Sequence, residues 1–500
     1  IFSADFPDRC FRIFHPFLSL YMLPAASAFL KYNSITMEFE IPLKIKEIVG
    51  KFEKNGFEIY IAGGAVRDII MKKTAYDWDF TTNAVPEEML KIFKDAYYTN
   101  EFGMVGIPGG NEGERPYEIT TFRTEHKYSD FRRPDKVEWG KSLNEDLQRR
   151  DFTINAMALK PEKIVKSGSS TVVYKMDLID PFDGQKDIKR KLIQAVGNAD
   201  ERFSEDDLRM MRAVRIATEL GFKIEEKTLL AVKNNATLIN KISRERIRDE
   251  LFKILKSPRS YEGIVLFRET GLMQEILPEM EKTFGVEQKS PGRHHVYDVG
   301  THSLYSLKFV AEKNSDPIVR FATLIHDIGK PQTYKKLDRG TITFYNHEIA
   351  GAQIAKRISE RLRFSKKDRE KLYKLVRYHL FSVDERQTDS AIRRFIRKVE
   401  PENISEMLDL RTGDRLGGGA RETSWRLEEF KIRLIEVQKQ PFTVRDLKIS
   451  GNDVMKTLNI KPGPKVGKVL EKIFDYVVEK KTENEREILL EKINEFKNTN

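Results

Sequence analysis

Two hydrophobic periodicities share this chain, and the place where one gives way to the other constrains the fold most. Near the start of the ordered pattern, apolar residues fall in short runs: "EIYIA", "YDWDFTTNA" and "YEITTFR". Runs of this kind, bounded by glycine or polar segments, read as strands. An amphipathic stretch, "IPLKIKEIVGKFEKNGF", precedes them and reads as a helix stopped at Gly56. Residues 123–150 are polar and charged and read as a mobile loop. From about residue 185 the apolar positions recur at helical spacing and strands become rare. The expectation is an α/β head followed by a long helical body, with candidate hinges at Gly417–Gly419 and at residues 438–442.

The chain has 500 residues, of which 40% are hydrophobic and 33% charged. That balance supports packed cores under a charged surface and excludes a disordered chain. A formal net charge of +11 favours a polyanionic partner, because Lys and Arg gain affinity by releasing counterions from phosphates. The one cysteine, Cys10, excludes an internal disulfide and a thiolate metal cluster, and points to a reducing, cytoplasmic setting. Residues 1–36 stand apart, rich in Phe, Leu, Pro and Ala. A secretory signal, an interrupted membrane anchor and upstream sequence translated in error all compete there, and a start at Met37 is favoured because everything after it reads as cytosolic. No later stretch is long and apolar enough to span a membrane.

The head carries a phosphate-binding pattern next to a pair of carboxylates. In "IAGGAVRD" a strand runs into Gly63 and Gly64 and then a helix bearing Arg67 and Asp68. Glycines take backbone angles closed to other residues, so their N–H groups can converge on an anion at a helix start. Nine residues after Asp68 comes Asp77, with Asp79 two further on. On a strand, that spacing puts both carboxylates on one face, where they repel unless a cation neutralises them. A phosphate cradle beside two carboxylates suits Mg²⁺-assisted transfer from a nucleoside triphosphate. Glu118 in "YEITTFR" is the candidate third carboxylate.

These residues resemble the nucleotidyltransferase head of the bacterial-type (class II) tRNA nucleotidyltransferases, the CCA-adding enzymes, and of the related bacterial poly(A) polymerases. The likeness continues in order through "EDLQRRDFTINAMAL", "LIDPFDGQKDIKRKLIQAVGN", "FSEDDLRMMRAVRIATELGF" and "ISRERIRDELFKIL". It implies an α+β architecture: a small mixed-sheet, polymerase-beta-like head, then a helical neck and body. Arg149, Arg150, Asp151 and Asn155 place donors and acceptors at the start of an expected helix. The resemblance assigns Asp151 and Asn155 to the ribose and Arg150 to the nucleotide. Glu125, Asp130, Arg132 and Arg133 lie in the segment that the family uses to switch from C to A.

The run "EDDLRMMRAVR" is read as one helix, with Asp206 and Arg209 three residues apart on one face. Cytosine and adenine each offer an amino donor and a ring acceptor on the pairing edge. An Asp that accepts and an Arg that donates fit both, whereas guanine and uracil present the reverse pattern. The competing reading is a local ion pair, the common fate of such spacing.

Histidines are few, and their order is informative: His302, His326-Asp327, His347, His379 and then Asp414, with His294 and His295 unassigned. A lone histidine is more often a satisfied core residue. Imidazoles clustered with carboxylates suit a transition metal. The order, with Lys330 after the His-Asp pair, resembles the HD phosphohydrolase superfamily. That implies a second site holding Mn, Ni, Co or Fe, with His347 and His379 extending it to two metals.

The tail, with "PGPKVG" opening a Lys-rich helix, resembles the family's tRNA-body contact. The implied division is a leader (1–36), transferase head (37–184), helical neck (185–285), HD domain (286–420) and helical tail (421–500). The implied activity is template-independent addition of the 3′-terminal CCA of tRNA from CTP and ATP, in a monomer or homodimer away from membranes. Poly(A), CC-only or A-only addition are the alternatives on the same scaffold. A phosphohydrolase whose head only binds RNA is a third reading, disfavoured because paired carboxylates would repel RNA.

Overall fold

The structure is a computed structural model that describes residues 35–100, 103–109, 115–126, 136–140, 142–288, 296–337, 340–438, 444–479 and 482–495. Asp130, Arg132, Arg133, His294, His295 and most of the candidate hinge at 438–442 lie outside these residues, as does the leader up to residue 34.

The head is built on ten strands: β1 (Ile35–Pro42), β2 (Ile59–Ala62), β3 (Asp79–Thr82), β4 (Tyr97–Asn100), β5 (Met104–Ile107), β6 (Tyr117–Thr121), β7 (Arg123–His126), β8 (Lys136–Trp139), β9 (Ala158–Ser167) and β10 (Thr171–Ile179). Eight of them form one mixed sheet in the order β1-β10-β9-β2-β3-β6-β5-β4. The β3–β6 pair is parallel and aligns Asp79 with Glu118, while β2–β3 and β5–β6 are antiparallel. β7 and β8 make a separate hairpin, so the segment read as a mobile loop contains paired strands and a helix, Leu143–Gln148.

Three expectations are corrected. "MEFEIP" is strand, paired along β10, and the first helix begins only at Leu43, because Pro42 lacks the N–H an interior position needs. In "YDWDFTTNA" only Asp79–Thr82 is strand; Asp77 sits in a bend before it, so the two carboxylates do not share a strand face. The run read as one helix across Asp206 is two, Ala199–Glu205 and Arg209–Leu220. Asp206 between them is extended (φ −142°, ψ 102°) and its carboxylate accepts the Leu208 N–H at 3.1 Å, which ends one helix and starts the next.

Beyond the head the fold is mostly helical, with strands reduced to two-residue pairs. A continuous apolar core runs from the sheet (Ile61, Phe80, Leu159) through the following helices (Met211, Val214, Leu251, Ile254) into the histidine-bearing region (Leu307, Phe321, Ile325, Leu375). Each such side chain contributes roughly 1.5–3 kcal/mol on full burial. Arg320, buried and facing no carboxylate in its bonds, donates to the carbonyls of Leu255 (2.6 Å), Ser257 (2.7 Å), Ala311 (2.8 Å) and Asn314 (2.5 Å). It ties the C-terminal ends of helices Arg244–Lys256 and Val299–Lys313, where carbonyls are unpaired and the dipole is negative. A second core (Leu447, Val454, Ile473, Phe474, Leu489) holds the tail. Among the described residues, no helix is long and apolar enough to cross a membrane.

Gly417 does not act as a hinge. It ends helix Ile404–Gly417 against Ser306, where a Cβ would stand 2.6 Å from the Ser306 backbone nitrogen. Gly413 makes the same close approach to Val310 one turn earlier. These two glycines let the helices bearing Asp414 and His302 pack tightly.

Candidate active site

At the end of β2 the chain turns on Gly63, with φ at 74°, a conformation that favours glycine. A Cβ there would stand 2.9 Å from an Arg150 Nη1 and 3.3 Å from an Asp79 carboxylate oxygen, so the missing side chain is what lets those groups converge. The Gly63 N–H already donates to the Met157 carbonyl at 3.4 Å, so it is engaged in the sheet rather than offered to an anion.

Asp79 opens β3 and is largely buried. Burial pushes its carboxyl up to about 6, with the charges of Glu118 and Asp77 adding to the rise and Arg150 opposing it. Three carboxylates are therefore crowded together, as the alignment of Asp79 with Glu118 requires. Asp77 is the exposed member and is ion-paired to Arg115.

The polar run after helix Leu143–Gln148 is not a helix, as expected, but a single 3₁₀ turn, Thr153–Asn155. Asp146, fully buried, holds Arg149 (2.5 Å) and Arg150 (3.1 Å) side by side. Asp151 accepts from the Phe152 N–H (2.8 Å), from Asn155 Nδ2 (3.2 Å) and from Arg212 Nε (2.7 Å). Burial works to raise its carboxyl, but the Arg212 charge and these bonds bring it down to about 2.

A cavity of about 290 Å³ gathers these groups: Gly63, Gly64, Asp79, Arg149, Arg150, Asp151, Asn155, Asp206, Leu208, Arg209, Arg212 and Arg246. Asp77 and Arg67 are not in its wall. Arg67 instead bonds Asp68 (2.9 Å) and the Asn155 side-chain oxygen (3.0 Å), which places it behind Asn155. Asp206 and Arg209 both reach the cavity but are engaged elsewhere: Asp206 with Arg246 (2.7 Å), Arg209 with Glu205, the Arg202 carbonyl (3.0 Å) and the Arg149 carbonyl (3.0 Å). The local ion pair between them is replaced by these two separate pairings. Asp146, Arg212 and Arg246 were not singled out from sequence. Arg212 was within reach, since it lies one turn after Arg209 on the same helix; Arg246 is 40 residues from its partner and nothing local marks it.

The histidines converge as expected. Asp327 Oδ2 lies 3.3 Å from His326 Nε2 and 3.6 Å from His302 Nε2, while its other oxygen lies 3.3 Å from His347 Nε2 and 3.7 Å from His379 Nε2. Asp414 Oδ1 approaches His302 (3.1 Å) and His326 (3.6 Å). His326, His347 and His379 set Nδ1 at 2.7–2.8 Å from the carbonyls of Thr323, Phe344 and Val376. That contact fixes the Nδ1–H tautomer and leaves Nε2 as the lone-pair donor. Two ligand triads result, His302-His326-Asp327 and Asp327-His347-His379, bridged by one carboxylate. Burial disfavours a charge on His326, but Asp327 and Asp414 carry its pKa up to about 10; burial and then the His326 charge hold His379 down to about 3. A cavity of about 500 Å³, lined by Lys330, Tyr345, His347, His379, Arg411 and Asp414 among others, opens onto this cluster. Lys330 is buried on Asp327 (2.5 Å) and Gln288 (2.6 Å).

Comparison with known proteins then places the chain. It is 33% identical over 452 residues to the CCA-adding enzyme of Pediococcus pentosaceus, an alignment covering 90% of this chain and 97% of that one. The chain belongs to the CCA-adding enzyme family. Other members match over a shorter span. The enzymes of Lactobacillus delbrueckii subsp. bulgaricus (44% identity over 237 residues) and Limosilactobacillus reuteri (47% over 230) align with 47% and 46% of this chain, and with 56% and 53% of their own length. The chain thus spans about half the length of those curated relatives. Family models match at residues 59–194 (Poly A polymerase head domain), 221–284 (RNA and SrmB-binding site of polymerase A) and 341–493 (tRNA nucleotidyltransferase domain 2). The Bacillus stearothermophilus CCA-adding enzyme in complex with CTP superposes with a TM-score of 0.63 at 27% identity, covering 91% of this chain and 98% of that one. The Thermotoga maritima CCA-adding enzyme complexed with tRNA shares the fold, with a TM-score of 0.54 at 21% identity over 90% of this chain and 94% of its own.

Proposed function

We propose that this CCA-adding enzyme family member builds or repairs the 3′-terminal CCA of tRNA from CTP and ATP without a nucleic-acid template. The observation that carries the reading is the single cavity that joins Gly63, Asp79, Arg150, Asp151, Asn155, Asp206 and Arg209. Asp77, Asp79 and Glu118 would hold Mg²⁺. Burial first, and then the neighbouring charges of Glu118 and Asp77, raise the Asp79 carboxyl, and a set of oxygen donors fits that hard ion. The metal, when bound, stabilises the charge on the reacting phosphate oxygens. Arg150 supplies positive charge to the triphosphate. Asp151 and Asn155 take the ribose, Asp151 remaining an ionised acceptor because Arg212 holds it so. Asp206 and Arg209 read the base edge, each carrying more hydrogen-bond capacity than its present partner uses. The proposed division sets the head at 37–184, the neck at 185–285, the HD domain at 286–420 and the tail at 421–500; the end of the eight-stranded sheet at Ile179 supports its first boundary.

The test is incubation with tRNA lacking CCA, Mg²⁺, and CTP and ATP singly and together. CTP alone should extend the RNA by two residues and both together by three, with no further growth. The alternative specificity on the same scaffold, poly(A) addition, would show as long A tails on the same gel.

We also propose metal-dependent phosphohydrolase activity at the histidine cluster. The Nε2 atoms and ionised carboxylates fit a transition metal such as Mn, Ni, Co or Fe, shared through Asp327. His347 and His379 line the cavity, and Lys330 and Arg411 bring positive charge to its wall. Metal content after loading with Mn²⁺ or Ni²⁺ tests the site: the wild type should retain metal, and His326→Ala with Asp327→Ala should not.

A further inference from the structure

A cavity of about 440 Å³ lies between helices His347–Arg361 and Lys366–Tyr378, and neither reaction above uses it. Among the described residues, none that lines it lines the nucleotide cavity or the histidine cavity. Its walls follow from helical spacing. Gln353, Lys356 and Glu360 fall on one face of the first helix, and Lys366, Arg369, Glu370, Tyr373 and Lys374 on one face of the second. Ile354, Ile358, Leu372 and Val376 of the same helices are buried in the core, so the polar stripes are left to wall a cleft at the surface. A charge run is ordinarily a solvated face. Here residues 352–374 hold nine Lys and Arg against three Asp and Glu, which is more than half of the chain's excess of +11, and the run surrounds a space of the size that takes a small ligand. Its ion pairs are loose. Arg369 is 3.9 Å from Glu360, Lys366 is 4.0 Å from Glu370, and among the described residues Lys356 has no carboxylate partner. Lys374 alone of the four lining cations is closely paired, to Glu400 at 2.5 Å. Exposed pairs that long hold little energy, so three cations are free to turn to phosphate oxygens.

The rest of the lining selects the anion. A bare phosphate has no use for an aromatic ring or an amide. An RNA strand needs an unbroken track of cations, and Glu360 and Glu370 would repel its successive phosphates. A nucleoside polyphosphate uses every group: phosphates on Lys356, Lys366 and Arg369, the base on Tyr373 within reach of the Gln353 amide, and ribose hydroxyls donating to a glutamate. We infer that this cavity is a second nucleotide site, taking a nucleoside di- or triphosphate, separate from the transferase pocket. Its place ties it to the neck. In the turn that joins the two helices, the Arg363 carbonyl accepts from Arg248, and the Phe364 ring meets that of Phe252 edge-on at 4.9 Å. Both partners ride on helix Arg244–Lys256, which also carries Arg246, the partner of Asp206. An occupant therefore sits one helix away from the base-reading residues.

The test is binding of ATP and GTP to the full chain by equilibrium dialysis in EDTA, in an Arg150→Ala background that weakens the transferase pocket. That protein should still bind nucleotide. Lys356→Glu with Arg369→Glu should abolish the binding at an unchanged melting temperature, and Lys356→Ala, a change at an exposed side chain, should give a smaller loss of the same kind. Tyr373→Ala should weaken binding about ten-fold or more, as loss of a base–aromatic stack does, and Tyr373→Phe should restore it. Inorganic tripolyphosphate should compete less well than ATP. No nucleotide bound in the Arg150→Ala background, or binding that survives the double charge reversal, overturns the inference. Tripolyphosphate that binds as tightly as ATP overturns it too, by making this a plain anion site. A double reversal that spares ATP and weakens tRNA binding makes the cleft an RNA track instead. Nucleotide addition is not the readout, so failure of the transferase reading leaves this outcome standing.

Discussion

Asp206 and Arg209 carry the base-selection argument. Asp206→Ala removes an acceptor for the amino groups of C and A and leaves Arg209 to meet the carbonyls of U or G. Loss of one charge-assisted hydrogen bond is worth roughly 1.5–3 kcal/mol, so CTP and ATP incorporation should fall by about one to two orders of magnitude while the ratio to UTP narrows. Equal losses for all four nucleotides would make Asp206 only the anchor of Arg246. Asp79 gives a prediction of opposite sign for stability. Its folded pKa, about 6, stands above the usual carboxylate value, so between the two the native state holds the extra proton and stability falls as pH rises through that window. Asp79→Asn should therefore raise the melting temperature of the metal-free protein at pH 7–8, by an amount that vanishes below about pH 4, while addition of nucleotide is lost. Thermal melting in EDTA across pH reads the first effect. Mg²⁺ should recover the wild type's deficit and do nothing for the variant. Sequence marked both residues but not why Asp79 is strained, since burial and the register with Glu118 exist only in the folded sheet.

Among elements, what was legible was what local pattern encodes. β2 with its two-glycine turn and the helices after residue 185 follow from periodicity and glycine placement. β1 was missed because Pro42 sits between two elements that each look apolar, and only pairing with β10 decides the first for strand. The break at Asp206 was missed because the run stays helical in period across it. A capping signal was nevertheless present, two aspartates before Leu208. Nor did sequence mark the close approach of helices Val299–Lys313 and Ile404–Gly417, since a glycine run reads as a hinge until its neighbour is known. That approach is testable. Gly417→Ala puts a Cβ 2.3 Å from Ser306 Oγ, so the two helices have to separate. Overpacking of this kind costs about 1–3 kcal/mol. Because His302 and Asp414 ride on these helices, bound metal should fall along with the melting temperature. Unchanged metal content by elemental analysis would mean the cluster tolerates the shift.

At the scale of the whole molecule, the two sites draw on different side chains yet share a continuous core. Arg320 joins the helix that carries Arg246 to the helix that carries His302, so mechanical connection exists between them. Chemical dependence does not follow from it, since among the described residues none lines both the nucleotide cavity and the histidine cavity. Asp77→Ala should abolish nucleotide addition through loss of a Mg²⁺ ligand and leave hydrolysis of a simple phosphodiester with Mn²⁺ or Ni²⁺ intact. His326→Ala with Asp327→Ala should do the reverse, removing both ligand triads at once because Asp327 bridges them. The double variant also removes a buried imidazole together with its carboxylate, so Lys330 loses its anion and local packing is at risk. His379→Ala is the control, since it takes one ligand from the cavity-lining triad and leaves the Asp327–Lys330 pair in place. Hydrolysis should fall with His379→Ala while CTP and ATP addition proceed at the wild-type rate. If either Asp77→Ala or His379→Ala, in protein whose melting temperature is unchanged, removed both activities, the two centres would be one coupled machine and the separation drawn from their linings would be wrong.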